Sequence, residues 1–472
     1  MTDFKKEDSK MHIGKELELV IEDIGLDGKG IAHVQGLTVF ISNAIPGDHV
    51  IARVDALKKN YAVASCIQIV KPSPDRIEPA CPVAAACGGC TLQHLAYPSQ
   101  LVFKQNRVRE ALRRIGHIKT EEEKIQPIIG MDNPWHYRNK VQFPISGTAS
   151  SPLIGYYAQG SHVVIDSDVC LIQPEICDLI RSVIREHIFR FQIEPYDERS
   201  HRGLLRHLAI RLGFSSGHVM AGLVINGSSF PGIDELADLL DQQIRLFHDP
   251  ELPPLQLTGL YLNENRERGN RILTQNIKIV RGEGWIEEKI NGLSYRISPL
   301  SFFQINPRQT EKLFQVIQNM AELKGTESVI DLYCGTGSIA LQLARTARQV
   351  IGVESVQEAI EDAQQNALLN KISNVRFMTG KAEETLPELF DEGFQPDLVV
   401  VDPPRKGCDD RLLHAIAEKL PRRFIYVSCD PATLVRDVAL LLPAGYEIKA
   451  IQPVDMFPWT SHVECVVLMS KP

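Results

Sequence analysis

The chain has 472 residues, 44% of them hydrophobic and 23% charged, with a formal net charge of −8. That length gives room for about three domains of roughly 150 residues each, and the apolar content describes a globular protein with real cores, not a disordered chain. No run of about 18 or more uncharged apolar residues occurs, so no membrane span is expected.

Residues 1–10 read as a mobile tail. Met1 to Asp8 are charged and carry no apolar core, which argues against a secretory signal and makes the cytoplasm the expected compartment. From Ile13 to Val70 the pattern is of short strands broken by turns. Leu17, Leu19 and Ile21 alternate with neighbours, Gly25 to Gly30 form a turn, and Val39 to Ile41 form a strand. Pro46-Gly47-Asp48 makes another turn, before strands at Val50 to Val54 and Val63 to Ile69. Several short strands in about 60 residues predict a small OB-like barrel, an architecture that often binds RNA.

After the linker Lys71-Pro72-Ser73-Pro74 come three of the ten cysteines: Cys81, Cys87 and Cys90. Without a secretion signal these are expected to be reduced, not disulfide-bonded. Thiols this close, beside Gly88 and Gly89, suggest a metal or iron–sulfur site, with Cys170 or Cys177 available as a fourth ligand. Zinc is the main rival, but only Cys87 and Cys90 have the Cys-x-x-Cys spacing zinc sites use in pairs. Three unligated cysteines is the plainest alternative.

Next, Lys104, Arg107, Arg109, Arg113, Arg114 and Lys119 are interrupted by one acid, Glu110. Val108, Leu112 and Ile115 recur among them at helical spacing, which predicts a helix with a basic outer face. The net charge disfavours a nucleic-acid partner, yet phosphate binding depends on local patches. A solvated face is the plainer reading of such a run. Residues 120 to 295 are mixed, with strands at Asn139 to Ile145 and Leu208 to Leu212. The clusters His136 to Lys140 and His201 to His207 combine cations with groups able to stack, as RNA binding requires, or are surface loops.

From Leu300 strands and helices alternate. Val329 to Leu332, Gln349 to Val353, Val375 to Met378, Asp397 to Val401 and Phe424 to Val427 read as strands, with helices such as Gln357 to Leu369 between them and a last strand at Val463 to Met469. This predicts a doubly wound α/β sheet. The first strand runs into Asp331-Leu332-Tyr333-Cys334-Gly335-Thr336-Gly337, and Glu354 ends the second, at the spacing of an acid that holds ribose hydroxyls. Gly335-x-Gly337-x-x-Ala340 alone also fits a dinucleotide. Asp331 favours S-adenosylmethionine, because a carboxylate there can hold an ammonium. Asp402-Pro403-Pro404-Arg405 follows the fourth strand, where such turns line target-base pockets. Cys429, in Ser428-Cys429-Asp430-Pro431, ends the fifth strand, where a thiolate can bond covalently to a substrate.

These motifs resemble those of the RNA (uracil-5-)-methyltransferase family over nearly the whole chain. Further matches are Ser301-Phe302-Phe303-Gln304-Ile305-Asn306, Asp402 to Gly407, and Asp455-Met456-Phe457-Pro458-Trp459-Thr460-Ser461-His462-Val463-Glu464, where Trp459 departs from the polar residue expected. The resemblance implies a TRAM domain over 11–72, a mixed α+β iron–sulfur and RNA-binding domain over 73–298, and a Rossmann-like class I methyltransferase domain over 299–472. It implies that Cys81, Cys87, Cys90 and Cys170 hold a 4Fe–4S cluster. It further implies that Gln304, Tyr333, Glu354 and Asp402 bind S-adenosylmethionine, with Cys429 as nucleophile and Glu464 as general base. The helix at 104–119 is expected to pack toward the catalytic domain.

Carbon 5 of uracil is too weak a nucleophile to take a methyl group directly. Addition of the Cys429 thiolate to carbon 6 would activate it, and a carboxylate such as Glu464 suits removal of the carbon 5 proton. Arg405 or Lys406 could favour the thiolate, and Phe302 or Phe303 could stack on the extruded base or serve as core. The expected partner is RNA, 23S rRNA first and a transfer-RNA T-loop second, with no membrane and no obligate protein partner. An amino-group methyltransferase would leave Cys429 and Glu464 without work, and a non-catalytic RNA-binding module would transfer no methyl group.

Overall fold

The computed structural model describes residues 11–25 and 27–471. The tail read at 1–10 lies outside the described residues. Two compact units emerge, Met1–Lys104 with Phe457–His462, and Gln105–Met456 with Val463–Pro472.

In the first unit, β1 (Glu16–Val20), β2 (Asp23–Ile24), β3 (Gly30–Val34), β4 (Leu37–Ser42), β5 (His49–Leu57) and β6 (Tyr61–Lys71) form one sheet, in the order β1-β5-β6-β4-β3-β2. Alternation along the strands turns Leu19, Val39, Ile41, Val50, Ala52 and Val54 into a shared core, as side chains of period two require. Buried Asp48 accepts the N–H groups of Ile45 and Ser73 at 2.9 Å and the guanidinium of Arg76 at 2.5 Å, tying the linker to the sheet. Helix α1 (Tyr97–Glu110) begins in this unit and ends in the second.

The basic run on that helix is not one outward face. Lys104 is fully buried and donates its Nζ to the carbonyl of Phe457 at 2.9 Å. Burial lowers the pKa of Arg107, with Asp430 opposing that shift. Arg113 and Arg114 pair with Glu110. The apolar side of the segment is accounted for: Val108, Ala111 and Leu112 join the core that also holds Ile330, Val401 and Val435.

The second unit starts from a seven-stranded sheet, β7 (Lys140–Thr148), β8 (Ser151–Tyr157), β9 (Val164–Asp166), β10 (Leu205–Leu212), β11 (His218–Ile225), β12 (Gln256–Glu264) and β13 (Ile277–Gly282), ordered β13-β12-β11-β10-β7-β8-β9. Helices α2 (Ile176–Phe191) and α3 (Ile233–Leu246) pack Ile180, Ile184, Leu236 and Leu240 against Leu208, Ile210, Leu223 and Leu260. Next comes the hairpin β14 (Ile286–Ile290) and β15 (Leu293–Ile297). Its two-residue turn is Asn291-Gly292, both at positive φ, as a primed turn needs.

The remaining elements build a second seven-stranded sheet. In chain order they are α4 (Pro307–Ala321), β16 (Ser328–Leu332), α5 (Ser338–Ala344), β17 (Gln349–Glu354), α6 (Gln357–Leu369), β18 (Val375–Thr379), α7 (Ala382–Asp391), β19 (Leu398–Val401), α8 (Asp410–Lys419), β20 (Arg423–Ser428), α9 (Pro431–Leu441), β21 (Glu447–Val454) and β22 (Glu464–Ser470). The strand order is β18-β17-β16-β19-β20-β22-β21, parallel except for β22, which runs antiparallel to both neighbours. Every residue of β16 and β19 is buried, which is why β19 reads as an unbroken apolar run and β16 is apolar but for Ser328 and Asp331. Among the described residues no helix is long and apolar enough to cross a membrane.

Candidate active site

Strand order reverses between β16 and β19, and open α/β sheets bind ligands at that crevice, beyond the carboxyl ends of the strands. The loop after β16 is held in left-handed conformations, with φ of 63° at Tyr333, 53° at Gly335 and 78° at Gly337. Glycine adopts these freely, whereas Tyr333 carries strain of order 1–3 kcal/mol. A Cβ at Gly337 would lie 2.7 Å from the Phe377 ring, but one at Gly335 would meet nothing within 4 Å. Open space therefore borders the loop at Gly335.

Three acids, Glu354, Asp331 and Asp402, lie close together at this end of the sheet. Glu354, ending β17, accepts the Gly335 N–H at 3.3 Å and the Val356 N–H at 3.0 Å. Asp331 is fully buried, and neither of its carboxyl oxygens has a hydrogen-bond partner. Burial pushes its carboxyl well up, Asp402 and then Glu354 add to this, and the Ala340 N–H opposes without forming a good bond. A buried, unpartnered carboxyl costs stability unless a ligand completes it. Acids converging on an open backbone cradle suit a ligand with an ammonium and a sulfonium, so these residues fit S-adenosylmethionine.

Tyr333 is half-buried against the core of the second seven-stranded sheet. Gln304 is buried, its carbonyl accepting Asn139 Nδ2 at 3.1 Å, while the Asn139 N–H donates to Ile305 O at 2.9 Å. Arg211, buried in β10, donates to Ser301 O at 2.6 Å. The central sheet thus holds the Ser301–Asn306 segment in place. A lone arginine within the otherwise apolar stretch Leu208 to Leu212 was the signal for this. Of the two phenylalanines there, Phe303 is 4% exposed and packs on the Tyr295 ring at 5.7 Å, whereas Phe302 is 65% exposed. Phe303 is core, and only Phe302 is free to stack.

Cys429 sits between the last residue of β20 and the N-terminus of α9, whose cap Asp430 accepts the Ala432 N–H at 2.8 Å. Opposite, β22 pairs Cys465 with Ser428. That antiparallel register brings Glu464, the next residue back along β22, to Cys429. Burial first, then Glu464, pushes the Cys429 thiol up to about 11, while Arg405 opposes and Asp402 adds to the rise. The cation expected to favour a thiolate is present as Arg405, but burial and the two acids outweigh it. Glu464 is itself buried and pushed well up, by burial and by Asp402, with Arg405 again opposing. Asp402 is raised by burial.

Elsewhere expectation and structure part. Cys81, Cys87, Cys90 and Cys170 are each half-buried, and the Gly89 N–H donates to Cys87 Sγ at 3.4 Å. Cys177, the other candidate ligand, is a core residue beside Ile176 and Ile180, its thiol pushed well up by burial. Among the described residues no group of three or more His, Cys, Asp or Glu side chains is arranged to hold a metal ion. The expected iron–sulfur centre gains no support from side-chain geometry. In the cluster at 201–207, Arg206 and His207 are buried, and Arg206 donates to Asn265 O and Glu267 O at 2.8 Å over the Tyr196 ring. These two side chains are structural, not loop cations.

A family model described as tRNA (Uracil-5-)-methyltransferase matches residues 265–472, and a TRAM domain model matches 10–67. An uncharacterized RNA methyltransferase of Clostridium acetobutylicum is 44% identical over 456 residues, covering 97% of each chain. One of Listeria innocua is 42% identical, covering 98% of this chain and 99% of its own. Among solved structures, the Pyrococcus abyssi tRNA (uracil-54, C5)-methyltransferase in complex with S-adenosyl-L-homocysteine superposes with a TM-score of 0.75 at 27% identity, covering 96% of this chain and 99% of that one.

Proposed function

This chain belongs to the S-adenosylmethionine-dependent RNA (uracil-5-)-methyltransferase family, and from that membership we propose that it methylates carbon 5 of one uridine in 23S rRNA through a transient Cys429 adduct. The observation that carries the chemistry is the register that sets Glu464 beside Cys429 at the end of the sheet. In this reading Cys429, once deprotonated, adds to carbon 6, and the electron pair moves through the ring to carbon 5. S-adenosylmethionine, when bound by Asp331, Glu354, Tyr333, Gln304 and Asp402, supplies an electrophilic methyl group and leaves as S-adenosylhomocysteine. Glu464 then takes the carbon 5 proton, and the returning electron pair expels the Cys429 thiolate. A carboxyl whose pKa is raised is a stronger base once ionised, which suits this task.

RNA carrying 5-fluorouridine tests the scheme, because fluorine cannot leave as a proton. Incubated with S-adenosylmethionine, it should leave the enzyme bonded to RNA in a denaturing gel. Absence of that band, or its persistence in Cys429→Ser, would sink the adduct.

Transfer RNA is the second reading, and the likeness to the Pyrococcus abyssi enzyme supports it. Unmodified 23S rRNA and unmodified tRNA, offered separately with labelled methyl donor, decide between them. For the cysteines, the 4Fe–4S assignment rests on their spacing and on the family resemblance. It gives the cluster a structural role and no part in the methyl-transfer chemistry. Anaerobic reconstitution with iron and sulfide should give broad visible absorbance that is lost in Cys87→Ser.

A further inference from the structure

The turn that carries Arg405 is clamped from behind by one buried carboxylate. Asp437, on α9 and fully buried, accepts the Cys408 N–H at 2.8 Å and the Tyr426 hydroxyl at 2.6 Å on one oxygen. Its other oxygen accepts Arg436 Nε at 2.7 Å, and Arg436 Nη2 donates onward to Lys406 O at 3.0 Å. The two bonds grip the turn on either side of Gly407. That residue has φ of 82°, and a Cβ there would lie 2.5 Å from both Asp437 Oδ2 and Arg436 Nη2. The clamp thus needs a residue with no side chain at its centre. Tyr426 lies three residues before Cys429 on β20, so the same carboxylate ties the nucleophile's strand to the turn.

We propose that Asp437 is a positioning residue that, with Arg436, fixes the Arg405 guanidinium against Cys429 and Glu464. The inference rests on the uracil-5 reading above. None of the clamp residues touches the substrate in it; they act through Arg405. The charged groups facing Cys429 are Glu464 from β22 and Asp402 and Arg405 from the turn. Asp437 itself meets Tyr426, Cys408 and Arg436. Arg405 is the one cation in that set acting on the thiol. Releasing the turn should let it drift toward solvent and leave the thiol to the two acids.

The test is the rate of adduct formation on 5-fluorouridine RNA against pH, for full-length wild type, Asp437→Asn and Arg436→Ala. Arg436 is half exposed, so its variant should fold even if Asp437→Asn does not. The expected result is a profile displaced to higher pH by about one unit, the scale of one neighbouring charge, with affinity for S-adenosylhomocysteine within about twofold of wild type. A merely structural role would lower the folded fraction and leave the profile in place. Profiles that overlay wild type in the folded variants would overturn the assignment. A wild type that forms no adduct removes the uracil-5 reading itself, and this one with it.

Discussion

The Arg405 guanidinium and the Cys429 thiol face each other, yet the thiol is pushed up to about 11 because burial and Glu464 act more strongly than the cation. The reactive form is the thiolate, so its population below that pKa grows roughly tenfold per pH unit. Adduct formation should therefore climb with a slope near one on a logarithmic scale from about pH 7 to about pH 10, the enzyme remaining folded. Arg405→Ala should slow it at least about tenfold at pH 7.5, since the loss of a neighbouring charge moves a pKa by one unit or more. Raising the pH should recover part of the loss. A flat profile in wild type, or an Arg405→Ala defect equal at every pH, would show that the thiol is already ionised or that Arg405 acts elsewhere.

Glu464 is expected to act after methyl transfer, not before it. Glu464→Gln keeps the size of the side chain but cannot accept the carbon 5 proton. On ordinary, unfluorinated RNA this variant should stall with a methylated uridine still bonded to Cys429, while multiple turnover falls by about a hundredfold or more, the lower end of what a general base supplies. Mass spectrometry of the digested adduct would show the added methyl group. An unmethylated adduct would place Glu464 earlier in the sequence.

Asp331 offers a trade between stability and binding. Its carboxyl is raised, so between the unfolded value near 3.9 and its higher folded one the native state holds more protons than the unfolded chain. Stability contributed by the neutral form is accordingly lost as pH rises through that window, so burying this acid becomes a liability above the unfolded value. Without ligand, Asp331→Asn should raise Tm by roughly 2 °C or more at pH 7.5, the scale of about 1 kcal/mol in a unit of this size. The same change should abolish measurable S-adenosylmethionine binding. Calorimetry gives both, and a lower Tm with binding intact would mean that the acid is satisfied in some other way.

The catalytic sheet was legible because buried parallel strands announce themselves as apolar runs. The Asp331 to Gly337 loop and Cys429 sit where such strands end. What the sequence concealed was direction and burial. Lys104 reads as a solvated cation on a basic helix, yet lies fully buried against the Phe457 carbonyl. Helical spacing says which residues share a face, not what a later segment brings to cover it. Phe302 and Phe303 are indistinguishable as letters, and only strand and turn geometry sends one inward. Asp437 is one acid among many in the sequence. Its partners Cys408 and Tyr426 lie 29 and 11 residues away, beyond the reach of local pattern.

The two phenylalanines should separate cleanly. Removing exposed Phe302 costs the fold little, whereas losing one base-stacking contact costs about 1–3 kcal/mol. Phe302→Ala should weaken RNA binding by about ten- to a hundredfold at unchanged Tm. Phe303→Ala removes a buried ring packed on Tyr295 and should cost about 3–5 kcal/mol of stability. Equal effects of the two on RNA binding would remove the stacking role from Phe302.

Trp459 stands where a polar residue was expected, and it proves to be an anchor. Its backbone is left-handed, with φ of 65°, and its carbonyl accepts the N–H groups of Thr91 at 2.9 Å and Leu92 at 3.0 Å. The Trp459 N–H donates to Gln100 Oε1 at 3.1 Å, and Gln100 Nε2 donates to the carbonyls of Leu92 and Leu95 at 3.0 and 2.7 Å. Gln100 is fully buried, so Gln100→Leu would strand several polar groups at about 1–3 kcal/mol each. The expected signature is faster amide exchange confined to residues near 91–100 and 457–462, with the catalytic sheet protected as in wild type. Trp459→Gln should give the same pattern, because it keeps the backbone bonds but forfeits the buried indole and its contact with Tyr97 at 5.7 Å. Exchange rising uniformly over the whole chain in both variants would mean that the segment supports global stability and is no local clasp.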